Sequence, residues 1–421
     1  YTLWHTLSLH DALPISESTR TRDPGKIPFC SAFLDINNDK WPDLYTAADK
    51  LTFNTMLMNN GNGTFSDVSE DTQTGLRMNA MCVAVGDYDN NGWFDIYVTN
   101  TPIGNALLRN RGLMGEERVP VFDEVAAATG TGFYENSWGA NFLDADNDGY
   151  LDLYVSGSVD GSDAESAALY HNNGDGTFTI PDSVGMQGDT TRSFSNAIGD
   201  LDQNGFPDIF VINNPPYPHQ LWMNEAVSGN NWLRINLEGV LSNRDAIGTR
   251  IEAYMGDTYQ QRFTHCGIGF LGQNSETEII GMGTFNTVDS LVITWPTGHQ
   301  DRFYDVPAGQ LLNIQEGMST GGEIAVDPGL SLLTSTGGST ALPASVELFP
   351  NPGGQELTIR CDYPEALNLR LLDGLGRAVY QTQISGAATT LPLGHLHNQL
   401  YYVELTDRQG RRSVYPWIKR N

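Results

Sequence analysis

The chain has 421 residues, of which 51 are Asp or Glu and 23 are Lys or Arg, so its formal net charge is −28 at pH 7. An acidic excess of this size disfavours binding to nucleic-acid phosphates, and we expect no nucleic-acid partner. The sequence contains no apolar run near the roughly 20 residues of a membrane-spanning helix, and the length is sufficient for two or three domains.

The first 15 residues fit no pattern found later in the chain. Residues 6–15 read TLSLHDALPI, which lacks the basic, apolar and small-residue order of a secretion signal. They resemble a translated sequencing adaptor, so we predict that residues 1–15 are an artefact and leave them out of the fold. An adaptor at this edge leads us to expect that the natural N-terminus, a signal peptide and further repeats lie upstream.

Four nine-residue loops recur at intervals of about 55 residues between positions 35 and 208. In chain order they read DINNDKWPD (loop 1), DYDNNGWFD (loop 2), DADNDGYLD (loop 3) and DLDQNGFPD (loop 4). An apolar run precedes each loop and a β-rich run follows it. Some 25 residues after each first Asp an Asn recurs in a similar setting, at Asn59, Asn110, Asn172 and Asn224. Because Asn-Gly and Asp-Gly pairs between apolar residues favour hairpins, each repeat is predicted to be a propeller-like set of short strands.

The side chains of these loops suit a hard cation. Calcium takes six to eight oxygens, which a tight loop can supply from positions 1, 3, 5 and 9, and Gly at position 6 relieves the sharp turn. We predict about four structural calcium sites, with the carbonyl of Tyr150 as a further ligand in loop 3. The predicted side-chain ligands are Asp35, Asn37, Asp39 and Asp43; Asp87, Asp89, Asn91 and Asp95; Asp144, Asp146, Asp148 and Asp152; and Asp200, Asp202, Asn204 and Asp208.

Two observations weigh against all four loops holding a metal. Asp and Asn are common turn formers, although turns alone do not require Asp at the ninth position of every repeat. Loop 1 also carries Lys40 where the other loops have Gly, which brings backbone strain and a positive charge to that loop.

The motif DxDxDGxxD after an apolar lead-in resembles the FG-GAP or VCBS repeat of integrin-α-like β-propellers. The resemblance covers residues 26–228 and implies an all-β fold with a partial propeller whose ions stiffen the blades. Four repeats would make an incomplete ring if the parent propeller has about seven.

Residues 229–316 read as alternating strands separated by Gly and Asn turns, with two further strands around Trp295 and Pro296. Residues 231–233, 242–250, 267–275 and 295–298 resemble the ASPIC/UnbV domain of the cartilage acidic protein family, which implies no catalytic residues. Gly267, Gly269 and Gly272 spell GxGxxG. A dinucleotide site would need a following helix in a βαβ unit, so we interpret them as turn glycines.

The last part of the chain is predicted to be a separate β domain. Residues 317–343 are rich in Gly, Ser and Thr and are typical of a flexible linker. Residues 344–421 contain six or seven short strands, the number expected of a small Ig-like β-sandwich. PNP at 350–352, the segment 371–380, residues 396–402 and the basic end resemble a type IX secretion sorting domain. That resemblance implies recognition by the type IX machinery and a secreted or cell-surface location.

The four cysteines, Cys30, Cys82, Cys266 and Cys361, are far apart in the sequence and form no zinc motif. A Cys30–Cys82 disulfide and four unpaired, mostly buried thiols both remain open, and we favour the thiols.

Two functions remain open at this stage. We favour a non-catalytic, calcium-stabilised binding or adhesion protein whose partner is an extracellular glycan or protein. The alternative is a polysaccharide-active lyase or hydrolase built on the propeller, which would need an axial pocket with a carboxylate pair and aromatic platforms such as Trp138 or Trp222. The sequence has no GxSxG, HExxH or Walker motif, and its histidines are scattered among the predicted domains.

Overall fold

The computed structural model describes residues 27–115, 119–158, 167–182, 186, 189–225, 227–319, 321, 346–349, 355–361, 363–364, 366–372, 378–386, 388–396, 400–408 and 411–419. The predicted artefact at 1–15, the PNP triplet at 350–352, Asn398 and Gln399, and nearly all of the linker at 317–343 lie outside these residues. In the described part of the chain the fold is all-β, as predicted, with one short helix, α1 (Ala126–Thr129).

Each Asp-rich repeat folds as a small antiparallel sheet, which we call blades 1 to 4 in chain order. Within each blade the strands follow one another across the sheet, because short turns connect neighbours. Blade 1 contains β1 (Ile27–Leu34), β2 (Asp43–Asp49), β4 (Thr55–Asn59) and β5 (Phe65–Asp67), and β3 (Thr52–Phe53) pairs separately with β6 (Arg77–Met78). Blade 2 contains β7 (Val83–Gly86), β8 (Asp95–Val98), β9 (Ala106–Met114) and β10 (Val119–Glu124). Blade 3 contains β11 (Asn136–Leu143), β12 (Asp152–Ser158), β13 (Ala167–Asn172) and β14 (Phe178–Thr179), and blade 4 contains β15 (Ser193–Gly199), β16 (Asp208–Asn213) and β17 (Gln220–Trp222).

Successive blades pack face to face around their first strands. β1 lies against β7, β7 against β11, and β11 against β15. The third residue of the second strand shows how the faces are covered, since Tyr45, Tyr97 and Tyr154 are all fully buried in the apolar cores between blades. Phe210 holds the same position in blade 4 and is 41% exposed. The described residues therefore cover this face in three blades and leave it open in the fourth.

Two more sheets follow the blades. One has the order β21-β18-β24 and the other the order β20-β19-β22-β23. Their strands are β18 (Asn231–Glu238), β19 (Arg250–Met255), β20 (Thr258–Phe263), β21 (Glu278–Gly283), β22 (Thr287–Thr294), β23 (Gln300–Pro307) and β24 (Gln310–Gln315). The sequence analysis assigned no strand to 278–283 and only two strands after residue 288, so it missed β21 and β24. The glycines in EIIGMG hid β21, although its Ile280 and Met282 are buried in the core of these sheets.

The connection between β20 and β21 lies on the first strands of the blades. We call residues 267–275 the glycine segment. Its Phe270 stacks on Phe29 with ring centroids 5.7 Å apart and packs 5.3 Å from Trp138. The backbone N–H of Ser275 donates to the carbonyl of Ile198 over 2.8 Å. One segment of the later sheets thus contacts blades 1, 3 and 4.

The glycines of this segment allow close packing, which the interpretation as turn glycines did not include. Gly269 has φ +86°, and a Cβ there would come within 3.3 Å of Asn141 Nδ2. A Cβ on Gly272 would come within 3.0 Å of the carbonyl of Asn196. The next regular element is the strand β21, so the helix that a dinucleotide site requires does not follow.

The described residues divide into two compact units, one running to residue 238 and including 245–314, and the other made of 239–244 and the residues from 315 onward. In the second unit the Glu316 carboxylate accepts the backbone N–H groups of Val240, Leu241 and Ser242, each over 2.7 Å. That unit also contains two sheets around one apolar core, with the orders β25-β26-β29 and β28-β27-β30-β31. The strands are β25 (Val346–Phe349), β26 (Glu356–Cys361), β27 (Leu367–Leu372), β28 (Ala378–Ile384), β29 (Ala388–Pro392), β30 (Leu400–Thr406) and β31 (Arg412–Ile418). Among the described residues no helix has the length and apolarity to cross a membrane.

Candidate metal centre

All four Asp-rich loops lie at the same place, between the first and second strands of a blade. The ninth Asp of each loop is the first residue of the second strand, so the loop is anchored at its end. The sequence period therefore becomes a spatial repeat, with one loop in each blade.

The first Asp of each loop organises the turn. Its Oδ2 accepts the backbone N–H of the sixth residue over 2.9 Å in all four loops. The sixth residue has positive φ in every loop, at Lys40 (75°), Gly92 (88°), Gly149 (100°) and Gly205 (89°). Loop 1 thus has the same backbone shape with a Lys in a conformation that favours Gly, which is the strain that the sequence predicted there.

The ninth Asp ties the loop to the third strand of its blade. One carboxylate oxygen accepts the backbone N–H of the second loop residue over 2.7–3.1 Å. The other accepts the backbone N–H of the Asn that recurs about 25 residues after the first Asp, over 2.7–2.8 Å. These bonds explain why Asp recurs at this position, and they give the predicted ligands Asp43, Asp95, Asp152 and Asp208 a structural role of their own.

The recurring Asn links neighbouring blades, which the sequence analysis did not foresee. The Asn172 side chain donates to the carbonyl of Tyr88 in loop 2 over 2.8 Å, and Asn110 and Asn224 make the equivalent bonds to Ile36 and Ala145. The fourth loop residue forms a second link. The side chains of Asn38, Asn90 and Asn147 each donate over 3.0 Å to the carbonyl of the sixth residue of the next loop. The four loops are therefore joined in series.

Carboxylates converge in loops 2, 3 and 4. Carboxylate oxygens of three aspartates lie within 4.8 Å of one another in each, as Asp87, Asp89 and Asp95, as Asp144, Asp146 and Asp148, and as Asp200, Asp202 and Asp208. Asp35, Asp39 and Asp43 of loop 1 do not form such a group, although all three are described. Among the predicted oxygen donors, those of loop 1 are thus the ones that the structure leaves dispersed.

Burial raises the pKa of several of these carboxylates. It raises the pKa of Asp87 and of Asp148 to about 6, and it raises the pKa of Asp144 well above its usual range. Asp144 is 4% exposed, and its Oδ1 has no hydrogen-bond partner among the described residues. A buried charge without a partner is costly, and a hard divalent cation bound by oxygens removes that cost. The donors of loop 3 therefore fit a calcium-type ion.

His171 joins the cluster of loop 3 and was missed in the sequence. Its Nδ1 lies 3.2 Å from Asp152 Oδ1, and the nearby Asp152 raises the pKa of the imidazole to about 9. Aligning the repeats on the recurring Asn would have pointed to it, because the preceding residue is Met58, Arg109, His171 and Met223 in blades 1 to 4.

The two sheets after the blades reach every loop. Gln261 Nε2 donates to Asp87 Oδ2 over 2.8 Å, and Arg234 Nε lies 3.1 Å from Asp200 Oδ2. Arg250 donates to the side-chain oxygen of Asn38, and the backbone N–H of Gly283 donates to the carbonyl of Asn147 over 2.8 Å. Side chains or backbone of the following domain thus cover the loop end of all four blades.

The two tryptophans considered as sugar platforms, Trp138 and Trp222, pack against apolar cores. Trp138 packs 4.9 Å from Phe194 in an apolar core, and Trp222 packs against the core between blades 3 and 4. A cavity of about 120 Å³ lies where the glycine segment meets the blades, with Asn141, Arg262, His265 and Glu278 in its wall.

The four cysteines are unpaired, with Cys82 and Cys361 buried, Cys30 half-buried and Cys266 exposed.

Comparison with known proteins matches three parts of the chain to family models. Residues 35–98 and 144–211 match the FG-GAP-like repeat, residues 239–321 match ASPIC and UnbV, and residues 347–418 match the secretion system C-terminal sorting domain. The predicted domain composition is confirmed. No curated protein matches the chain.

The solved structures that resemble the chain do so weakly. PorZ, a surface component of the type IX secretion system of Porphyromonas gingivalis, is 11% identical with a TM-score of 0.27, and the match covers 90% of this chain and 58% of PorZ. This chain thus spans less than two thirds of that protein. A fungal alcohol oxidase of the AA5 family is 10% identical with a TM-score of 0.25 and coverages of 94% and 98%. The extracellular domain of BT4673 from B. thetaiotaomicron is 11% identical with a TM-score of 0.24 and coverages of 92% and 50%. Likeness at this level carries no argument about function.

Proposed function

We propose that this chain, which carries FG-GAP-like repeats, an ASPIC and UnbV domain and a C-terminal sorting domain of a secretion system, is a calcium-stabilised binding protein and not an enzyme. The sorting domain indicates export through type IX secretion to the cell surface or the medium. What we propose beyond the domain composition and the export is that the chain binds calcium and that its role is to bind a partner. Outside the cell calcium is typically millimolar, so sites with a Kd of about 10⁻⁴ M would be about nine-tenths filled and sites with a Kd of about 10⁻³ M about half filled.

One observation carries the calcium proposal. Loops 2, 3 and 4 each gather three carboxylates at the same point of their blades, and in loop 3 the buried Asp144 Oδ1 has no partner among the described residues. The chain's own residues would hold the ion with Asp144, Asp146 and Asp148, while Asp152 ties the loop to β13 through the backbone N–H of Asn172. The ion would add positive charge that offsets these buried carboxylates.

Thermal unfolding of the full chain in 2 mM calcium and in EGTA tests the calcium proposal. A ligand that binds only the folded state stabilises it by RT ln(1+[L]/Kd), which is about 2.7 kcal/mol for one site at 100 times its Kd. We expect a higher unfolding temperature in calcium than in EGTA, and a much smaller rise in magnesium, which prefers a smaller octahedral site. Identical unfolding curves in calcium and EGTA would contradict the proposal.

The positions of the glycine segment and of two tryptophans support a binding role. The glycine segment lies on the first strands of the blades, and the partly buried Trp138 and Trp222 pack against apolar cores, which disfavours a role as sugar platforms. We propose an extracellular glycan or protein as the partner. Purified chain should be retained on surfaces coated with polysaccharides or matrix proteins, and it should release neither reducing ends nor unsaturated sugars. Release of either product would favour the polysaccharide-active enzyme instead.

A further inference from the structure

The turn between β4 and β5 contains an exposed Asn-Gly pair, Asn62 and Gly63. The Gly63 backbone has φ +84°, and a Cβ there would meet no atom within 4 Å. The side-chain Oδ1 of Asn62 accepts the backbone N–H of Thr64 over 3.0 Å and the Thr64 hydroxyl over 2.6 Å. Because Thr64 directly follows Gly63, these bonds fold the Asn62 side chain back towards the peptide bond between Asn62 and Gly63.

An Asn-Gly pair in an exposed turn can lose ammonia without an enzyme. The backbone nitrogen of the Gly attacks the side-chain carbonyl carbon of the Asn, a carbon–nitrogen bond forms, and ammonia leaves with the proton of the backbone N–H. Water then opens the cyclic imide, giving aspartate if the new bond breaks and isoaspartate if the original peptide bond breaks. One water is consumed and one ammonia released for each amide converted. Gly permits the attack because it has no Cβ to obstruct the ring.

Four of the five Asn-Gly pairs of the chain have this backbone N–H occupied. The glycine N–H donates to a side-chain oxygen over 2.9–3.0 Å at Gly61, Gly92, Gly174 and Gly205. The N–H of Gly63 donates to no acceptor among the described residues, which include all five pairs. A nitrogen that already donates a hydrogen bond must lose it before it attacks, so Asn62 is expected to react first.

The contacts of Asn62 also favour the attack. As the backbone nitrogen adds to the side-chain carbonyl carbon, negative charge develops on Oδ1. The N–H and the hydroxyl of Thr64 already donate to this oxygen. Donors placed where an oxyanion forms lower the barrier of acyl transfer. The turn therefore combines an unoccupied nucleophile with a stabilised carbonyl oxygen.

Blade 3 shows that the aspartate product fits this turn. The hairpin between β13 and β14 carries Asp175 at the equivalent place, and its Oδ1 accepts the N–H and the hydroxyl of Thr177 over the same 3.0 and 2.6 Å. Donation from that hydroxyl lowers the pKa of the Asp175 carboxyl, so the turn stabilises a carboxylate. An aspartate formed at position 62 would find the same two donors in Thr64.

From these observations we propose that Asn62 is a site of spontaneous deamidation, with water as the co-reactant, and that the fold protects the other four Asn-Gly pairs. The aspartate product keeps the turn and adds one negative charge, whereas isoaspartate adds a methylene group to the backbone of the turn. The chain thereby changes with age at one defined surface position. This modification needs neither calcium nor a binding partner.

Peptide mapping by mass spectrometry tests the proposal on the full chain after incubation at neutral pH in oxygen-18 water. Position 62 should exchange its amide nitrogen for oxygen-18 about tenfold faster than the four other Asn-Gly sites, because no hydrogen bond of the nucleophile has to break first. Fragment ions distinguish Asn62 from Asn60 in the same peptide. In guanidinium chloride the protecting hydrogen bonds are lost, so the rates at the five sites should become similar.

Asp175→Asn is a matched gain-of-reaction variant. It gives the hairpin of blade 3 the NNGNGTF sequence of blade 1, and the N–H of Gly176 donates to no acceptor among the described residues. The new Asn should therefore deamidate at a rate similar to Asn62. Asn62→Gln keeps the amide but would have to close a larger ring, so it should stop the reaction in blade 1. Thermal unfolding of both variants checks that they are folded.

Each outcome decides for or against the proposal. Rapid oxygen-18 uptake at position 62, together with a second reactive site in Asp175→Asn, supports it. Equal rates at all five sites in the folded chain would overturn it, as would no uptake at position 62 while the denatured chain reacts. A folded Asp175→Asn variant that does not react at position 175 would also count against it, because this turn would then not make the pair reactive.

Discussion

At the scale of single residues, the loops depend as much on hydrogen bonding as on charge. Each ninth Asp has both oxygens engaged by backbone N–H groups, and the recurring Asn of blades 2, 3 and 4 links its blade to the preceding loop. The Asp positions of the loops could be predicted because their spacing is regular. The Asn roles could not, because an Asn near the end of a strand is equally typical of an ordinary turn.

Asn172→Ala tests this residue-scale role. The side chain donates to the buried carbonyls of Tyr88 and Leu151 over 2.8 and 3.0 Å. Because the variant leaves buried acceptors without donors, we expect the free energy of unfolding to fall by about 3 kcal/mol. The exposed neighbour is the control, and Asn173→Ala should cost less than about 1 kcal/mol in the same denaturant titration. Equal effects of the two substitutions would contradict the role of Asn172.

His265 makes stability depend on pH away from the loops. Burial lowers its pKa from 6.5 to about 4, so in that interval the unfolded chain binds a proton that the folded chain does not. Stability should therefore be lost as the pH falls from about 6.5 to 4, by up to about 3 kcal/mol for this group. His265→Gln lacks this contribution, and urea titrations at pH 7 and pH 4.5 should show a smaller loss in the variant than in the unmodified chain. The aspartates titrate in both proteins, so the difference between them isolates His265.

At the scale of elements, the sheets of the ASPIC and UnbV region cover the Asp-rich loops. Gly281 in β21 shows how tightly, since a Cβ there would overlap Asp144 Oδ2 and come within 2.7 Å of the Asn147 Cα. The strand can pass loop 3 at this distance only because it carries Gly. Gly281 and Gly283 also kept β21 from being recognised in the sequence. The absence of side chains that allows the close approach to loop 3 thus also weakened the sequence signal of the strand.

Gly281→Ala should separate β21 from loop 3. The added methyl group meets a buried carboxylate and the backbone, and overpacking of this kind costs about 1–3 kcal/mol or more. We expect a loss of about 3 kcal/mol in chemical denaturation. Gly256→Ala lies in an exposed turn with φ +56°, where the cost should be limited to about 1 kcal/mol of backbone strain. If Gly281→Ala lowered the free energy of unfolding no more than Gly256→Ala, the prediction would be wrong, because β21 and loop 3 would then accommodate the added methyl group.

At the scale of the whole molecule, the sequence predicted the all-β fold and the kinds of domain better than the arrangement of the blades and the following sheets. Regular spacing, apolar alternation and turn residues are local signals, and they identified the blades and most later strands. The contacts of Gln261 with Asp87 and of Phe270 with Phe29 join residues far apart in the chain, and no local pattern records them. For the same reason the contact of Arg234 with Asp200 in loop 4 became visible only in three dimensions.

The contact between the glycine segment and blade 1 affects how the chain folds during its synthesis. Cys30 and Gly269 are in contact although 239 positions separate them, and Phe270 stacks on Phe29. Contacts between such distant residues are slow to form because a long loop must close first. As the chain emerges during synthesis, the first strands of the blades must wait with uncovered apolar side chains until residue 275 has been made. A chain that stops after the last blade should accordingly be prone to aggregate, even though every repeat in it is intact.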